Sequence, residues 1–280
     1  MSAALLLTAG IGLASCGDSS SDVTLVIGME ANYSPFNWTE YSADNQYNYS
    51  IQGQTGQYAA GYDVDVARYI ADYNDWNLEI QKMEWDNLIP SVNNGQINAI
   101  LAGMTDTAER EESIDFSDIY YQSELVLITR KDDPDFADTD DFDLSDLAGL
   151  RLIAQTGTVE DDIIADWVDD YGVTHLPATS DYQTAITDLT QDVADAVPAE
   201  DPVARAIVLA DPDDYQMVHF DQTVLSDDVR EGFTVSIGLQ KGDPDVIEDG
   251  INAALAALPD SVRSEWMQDA IERSATQSGD

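Results

Sequence analysis

Lysine is almost missing from this chain. It occurs only at Lys82, Lys131 and Lys241, and Lys+Arg reaches 11 against 55 Asp+Glu, a net charge of -44 over 280 residues. That deficit excludes nucleic acid as a partner, because a phosphate backbone would meet like charge with no basic stripe to receive it. It equally excludes electrostatic docking on anionic lipid. Cysteine is reduced to Cys16, so no internal disulfide can form. His175 and His219 stand alone, there is no Ser-His-Asp order, and no phosphate-binding loop is present. No catalytic residue, no metal and no cofactor is therefore expected. Long apolar runs are also lacking: none reaches the roughly 20 residues that span a bilayer.

Aromatic residues, by contrast, are plentiful. Five Trp, 13 Tyr and 6 Phe within a 44% hydrophobic chain are too many for a disordered acidic tail, so a core is expected. The acids are spread over many segments. Their mutual repulsion would strain the fold in dilute buffer. In about 1 M salt the Debye length falls to about 3 Å and most of that repulsion is screened. An acidic surface of this kind is expected of a protein from a halophilic archaeon. Residues 3–14 are apolar or small apart from Thr8, which suits a signal-peptide h-region. They lead into Leu13-Ala14-Ser15-Cys16-Gly17, which resembles the lipobox of a secreted lipoprotein. Residues 1–15 are thus expected to be a signal peptide and residues 16–22 a flexible tether carrying a lipid on Cys16. That places the protein on the extracellular face of the cell membrane, anchored rather than spanning.

Along the chain, β-rich apolar runs alternate with helical patterns. Strands are expected at 23–27, 97–101, 124–129, 151–155, 193–197, 215–220 and 234–240. Helices are expected at 61–74, 160–170, 181–189, 201–210, 244–258 and 261–274. This alternation implies an α/β fold with ligands beyond the carboxyl ends of strands. Residues 37–60, rich in Asn, Gln, Tyr, Ser and Gly, read as a long loop beside the site and a candidate cover for it. Sequons stand at Asn32, Asn37 and Asn48, of which Asn48 is the best placed for glycosylation.

Several motifs then converge. Residues 61–74 (GYDVDVARYIADYN) match a signature of the family 3 extracellular solute-binding proteins, the polar amino-acid receptors of ABC importers. Further segments resemble pocket loops of that family, in family order: Glu30-Ala-Asn-Tyr33-Ser-Pro35-Phe36, Trp85-Asp-Asn-Leu-Ile-Pro90, Ala102-Gly103-Met104-Thr105 with Glu109-Arg110, Gln155-Thr-Gly157-Thr158, and Asp195-Ala-Val-Pro-Ala-Glu200-Asp-Pro202. The chain is identified on these motifs as a member of that family. The resemblance implies a two-lobed periplasmic-binding-protein (type II) fold: two mixed, mostly parallel sheets joined by two crossover strands. Lobe 1 would comprise residues 23–122 and 229–280, and lobe 2 residues 123–228.

The implied function is capture of an α-amino acid between the lobes and its delivery to ABC permease subunits, by a monomer. The carboxylate clamp falls on Arg110, Gly103, Thr105 and Thr158. A guanidinium fork suits a carboxylate bidentately, glycine leaves its N–H open to close approach, and a helix N-terminus favours an anion. The ammonium would meet Glu30 and Glu200, with Asp201 as an alternative to Glu200. Tyr33 and Trp85 supply apolar walls, joined by Phe36 unless it is core. Gln155 and Ala199 sit where relatives select the side chain; both are uncharged, which disfavours a charged ligand side chain. The same scaffold leaves two alternatives: a cyclohexadienyl or arogenate dehydratase using Glu200 or Glu30 for proton transfer, or a ligand-sensing module. The charge imbalance makes one prediction of its own. The melting temperature should rise steadily between low and molar KCl, followed by circular dichroism; a flat response removes the halophilic reading.

Overall fold

The computed structural model describes residues 23–44, 46–137, 142–225, 233–242 and 246–277. The expected signal peptide, Cys16 with its tether, and the lobe boundary at 228/229 lie outside the described residues. Among the described residues no helix is long and apolar enough to cross a membrane.

Two five-stranded sheets organise the chain. In the first, β1 (Thr24–Met29) lies parallel to β6 (Asn77–Lys82) and β7 (Ala99–Ile100), and β16 (Gly238–Gln240) runs antiparallel to β7 and β8 (Ile114–Phe116). In the second, β11 (Arg151–Leu152) lies parallel to β12 (Thr174–His175) and β13 (Ala196–Glu200), while β10 (Leu125–Arg130) runs antiparallel to β13 and β14 (Tyr215–Val218). Both sheets are mixed, with two parallel and two antiparallel pairings each. A short antiparallel ladder of β9 (Tyr121–Gln122) and β15 (Thr234–Val235) joins them. Strand β10 shows how the second sheet is buried on both faces. Val126 and Ile128 enter the larger apolar cluster and Leu125 and Leu127 the smaller one, the two-residue alternation of a central strand.

Among the described residues the six expected helices form, and two short ones, at 88–93 and 108–111, were not expected. They are α1 (Tyr62–Asn74), α2 (Leu88–Asn93), α3 (Ala108–Glu111), α4 (Val159–Tyr171), α5 (Tyr182–Thr190), α6 (Asp201–Ala210), α7 (Val246–Ala257) and α8 (Asp260–Gln277). Helix α8 packs on both α6 and α1 and so braces the two halves. Its Arg263 donates to the carbonyls of Ile119 and Tyr120, just before the connecting ladder, at 3.1 Å each.

Four expectations are corrected. Residues 37–60 are not a loop. With β2 (Asn32–Tyr33) they form a four-stranded antiparallel sheet, order β2-β3-β5-β4, from β3 (Asn37–Glu40), β4 (Asn48–Ser50) and β5 (Tyr58–Ala60). Its buried polar residues are paired inside the fold: Asn48 donates to the Glu40 carboxylate and to the Ser42 carbonyl, and half-buried Tyr49 donates to the Leu78 carbonyl on β6 at 2.8 Å. The same burial removes Asn48 as a glycosylation candidate, because its amide is already committed inside the fold. The single strand expected at 234–240 is broken into β15 and β16, because the chain leaves the connecting ladder there and joins the first sheet. The strand expected at 193–197 begins later, at Ala196. Asp192 turns the chain at φ 60, and Asp195 is drawn into hydrogen bonds with the Arg151 guanidinium.

Helix α1 starts on Gly61 for a specific steric reason. Its φ is 120°, and a Cβ there would lie 2.3 Å from the Phe36 carbonyl oxygen. Gly61→Ala should therefore cost at least ~2 kcal/mol, read as a lower midpoint in urea unfolding at molar KCl; an unchanged midpoint would contradict the contact.

Candidate functional site

A narrow cavity of about 30 Å³ opens where the carboxyl ends of β1, β7 and β13 face the start of α4. Glu30, Tyr33, Trp85, Gly103, Thr105, Arg110, Thr158 and Glu200 all line it, so every ligand-contact residue expected from the sequence meets at one place. Gln155 also lines it. Asp201 does not; it turns outward toward Arg205, 3.8 Å away one helical turn on. Ala199 is buried in β13 and is not among the lining residues, its place in the wall going to Ala154 and Val159. Phe36 is core: fully buried, it stacks behind Tyr33 with ring centroids 5.7 Å apart.

Each polar group is fixed by a local structural cause. Thr107 caps the short helix α3 by accepting from the Arg110 N–H. The guanidinium is thereby turned toward the cavity, where Nη1 donates to the Thr105 carbonyl at 2.6 Å and Nη2 to the Gly157 carbonyl at 3.1 Å. A guanidinium carries five N–H groups, so three remain for a ligand. Trp85 lies under it, 5.3 Å from ring centre to guanidinium carbon, and also donates to the Gly157 carbonyl. On the opposite wall the Thr158 hydroxyl caps α4 and donates to the Gln155 carbonyl. What Thr158 offers a ligand is thus the helix start rather than its hydroxyl. Gln155 donates to Glu30 at 3.1 Å, and Tyr33 donates to Glu200. These contacts tie residues near 30, 85 and 110 to residues near 157 and 200 across the cleft.

Gly103 plays a different part from the one expected. Its φ is 62°, and a Cβ would sit 3.0 Å from the Tyr33 ring and 3.3 Å from Phe36. Its N–H faces the buried Asp63 carboxylate instead of standing open to a ligand. Asp63 also accepts from Tyr120 Oη at 2.6 Å and Asn37 Nδ2 at 2.8 Å. Glycine is required here for the turn and for the aromatic pair, and Asp63 holds the turn from below.

Two polar lining residues, besides the apolar Ala154 and Val159, were not read from the sequence. Glu160, 9% exposed, lies in the first turn of α4 against the Thr158 hydroxyl and beside Glu200. Tyr182 opens α5, 6% exposed, with its ring edge-on to Tyr33 at 5.2 Å. Glu160 was hidden among 55 acids; its only local signal was its place two residues after the Gly157-Thr158 turn.

Electrostatics follow from burial. Burial pushes the Glu30 carboxyl up to about 7, against the Gln155 hydrogen bond that lowers it. Burial, then the neighbouring Glu160 charge, hold Glu200 well above the usual carboxylate range. Burial lowers the Arg110 guanidinium, with Glu160 foremost among the acids that pull it back. The site therefore sets three carboxyl groups against one guanidinium.

The family model of bacterial extracellular solute-binding proteins, family 3, matches residues 25–269. The chain is 28% identical over 206 residues to the arginine-binding extracellular protein ArtP of Bacillus subtilis, covering 72% of this chain and 71% of that one. It is 29% identical over 274 residues to the L-arginine-binding protein of Pseudomonas aeruginosa, covering 95% and 94%. An L-arginine-bound amino acid ABC transporter substrate-binding protein of Streptococcus pneumoniae superposes with a TM-score of 0.72 at 24% identity, covering 90% of this chain and 96% of that one; this likeness speaks to the fold, which is the type II periplasmic-binding-protein fold.

The raised Glu30 carboxyl gives the site a pH signature. Folding lifts it from 4.5 to about 7, so the native state binds this proton more tightly than the unfolded chain. Its contribution to stability is complete below about pH 4.5 and lost as pH rises through about 7. Glu30→Gln should shrink the loss of stability between pH 5 and pH 8 by about 1–3 kcal/mol, measured by urea unfolding of the unliganded protein. An identical loss in both proteins would remove this assignment.

Proposed function

The chain belongs to the bacterial extracellular solute-binding proteins, family 3, and from that premise we propose how it handles its solute. It is the extracellular substrate-binding component of an ABC importer and binds an α-amino acid. In the proposed mechanism residues 23–122 with 229–280 form one lobe and residues 123–228 the other, and the ligand closes them. Arg110 grips the α-carboxylate with its three remaining N–H groups, beside the Thr105 backbone and the start of α4 at Thr158. Glu30 and Glu200 receive the α-ammonium, and Tyr33 and Trp85 form the walls, while Gly103 shapes the turn beneath them.

One observation carries this reading: a guanidinium and buried carboxyl groups, the complements of a zwitterion, line the same cavity between the two sheets. The count of charges supports a ligand with a cationic side chain, since Glu30, Glu160 and Glu200 outnumber Arg110 and a neutral zwitterion needs only one acid. Glu160 thus reverses the expectation drawn from uncharged Gln155 and Ala199. Two relatives named for arginine binding agree with that charge balance. The protein acts by binding alone, as a monomer held at the membrane through a lipid on Cys16, and works in salt strong enough to screen its -44 charge.

At high ionic strength long-range attraction is nearly absent, so affinity must come from short contacts inside the closed cleft. Arg110→Ala should lose at least ~2 kcal/mol of L-arginine binding by isothermal titration in molar KCl, while single changes of exposed Asp or Glu do little. Equal losses for both classes, or no α-amino acid bound at all, would refute the reading.

A further inference from the structure

Glu160 and Glu200 are two buried carboxyl groups side by side. They stand on different elements, the first turn of α4 and the end of β13, at 9% and 3% exposure, and both line the cavity. That cavity is only about 30 Å³, and after burial the neighbouring Glu160 charge is what holds Glu200 above the usual carboxylate range. Two ionised carboxylates this close and this dry would repel strongly; one shared proton resolves the conflict.

The groups facing the pair decide what the pair can do. Tyr33 on β2 donates to Glu200. Arg110 on α3 is the one cation in the lining, and its charge acts on Glu160. Tyr121 on β9 senses Glu200 but does not line the cavity. Tyr182 on α5 is the telling neighbour. Its hydroxyl is buried beside both carboxyl groups and has no hydrogen-bond partner. A buried hydroxyl left unpaired is destabilising, and this one belongs to a lining residue of the same cavity.

We propose that Glu160 and Glu200 together form a two-carboxylate seat for the cationic group of the ligand, with Tyr182 as its third polar contact, and that the proton the pair shares passes to solvent when that group arrives. The proposal rests on the amino-acid reading above and assigns Glu160 and Tyr182 to the site. The ledger is simple: one ammonium or guanidinium enters, one proton leaves, and the seat exchanges a neutralising proton for a ligand charge. Affinity for a cationic ligand then falls as pH falls, because protons compete for the same seat. Glu30 lies on the other wall, paired with Gln155, and is not a member of the pair.

The test is isothermal titration of the full chain with L-arginine in molar KCl, at pH 7, in phosphate and in Tris. These buffers differ in ionisation enthalpy, so proton release appears as a buffer-dependent heat. The expected result is release of about one proton per arginine, with affinity up to about tenfold weaker at pH 6 than at pH 7. Glu160→Gln should lower the release by about one proton and weaken arginine at least tenfold; a thermal melt checks that the variant is folded. Buffer-independent heats in the wild-type protein overturn the proposal whatever the variants do. So does release that is undiminished in Glu160→Gln. Arginine binding without proton release sinks the seat and leaves the amino-acid reading standing; failure of every α-amino acid to bind sinks both.

Discussion

A single guanidinium surrounded by buried carboxyl groups is the constraint on which this molecule turns. In a chain with five acids for every basic residue, negative charge is cheap at the surface and expensive inside. The cleft nevertheless buries Glu30, Glu160 and Glu200 beside Arg110. One tyrosine, one glutamine amide and one tryptophan hold those charges in place: Tyr33 on Glu200, Gln155 on Glu30 and Trp85 under Arg110. The two sheets exist, in functional terms, to bring these groups to a common point, and strand ends supply most of them.

The scarce cations are spent with the same economy. Arg263 fastens α8 to the carbonyls that precede the connecting ladder. Arg151 and Arg130 gather Asp192 and Asp195 at the base of the second sheet. Arg273 lies over Trp38 and Tyr47 while pairing with Asp65. In these places an arginine fork satisfies several acceptors at once, which a lysine point charge does less well. The near-absence of lysine and the choice of arginine inside are two sides of one composition.

Much of the fold was legible because its helices carry a clear period and its strands are short apolar runs; residues 201–210 form α6 as expected. Most of the cavity lining was legible too, through the motifs around Glu30, Trp85, Arg110, Thr158 and Glu200 that resemble the family's pocket loops. Glu160 was not, since one glutamate among so many acids has no sequence signal of its own. Tyr182 was missed for the same reason among 13 tyrosines. The sheet from Asn32 to Ala60 escaped because its buried Asn37, Glu40 and Asn48 look like loop residues until their partners are known. Strand β6 is the exception: Leu78 and Ile80 alternate with polar residues, and that pattern was open to reading.

Arg110 and Trp85 converge on one acceptor, the Gly157 carbonyl. That oxygen belongs to the main chain, so no amino-acid replacement at position 157 can delete it. Drift at the cleft can therefore loosen this contact only from the donor side, at Arg110 or Trp85, while its acceptor is fixed by the backbone.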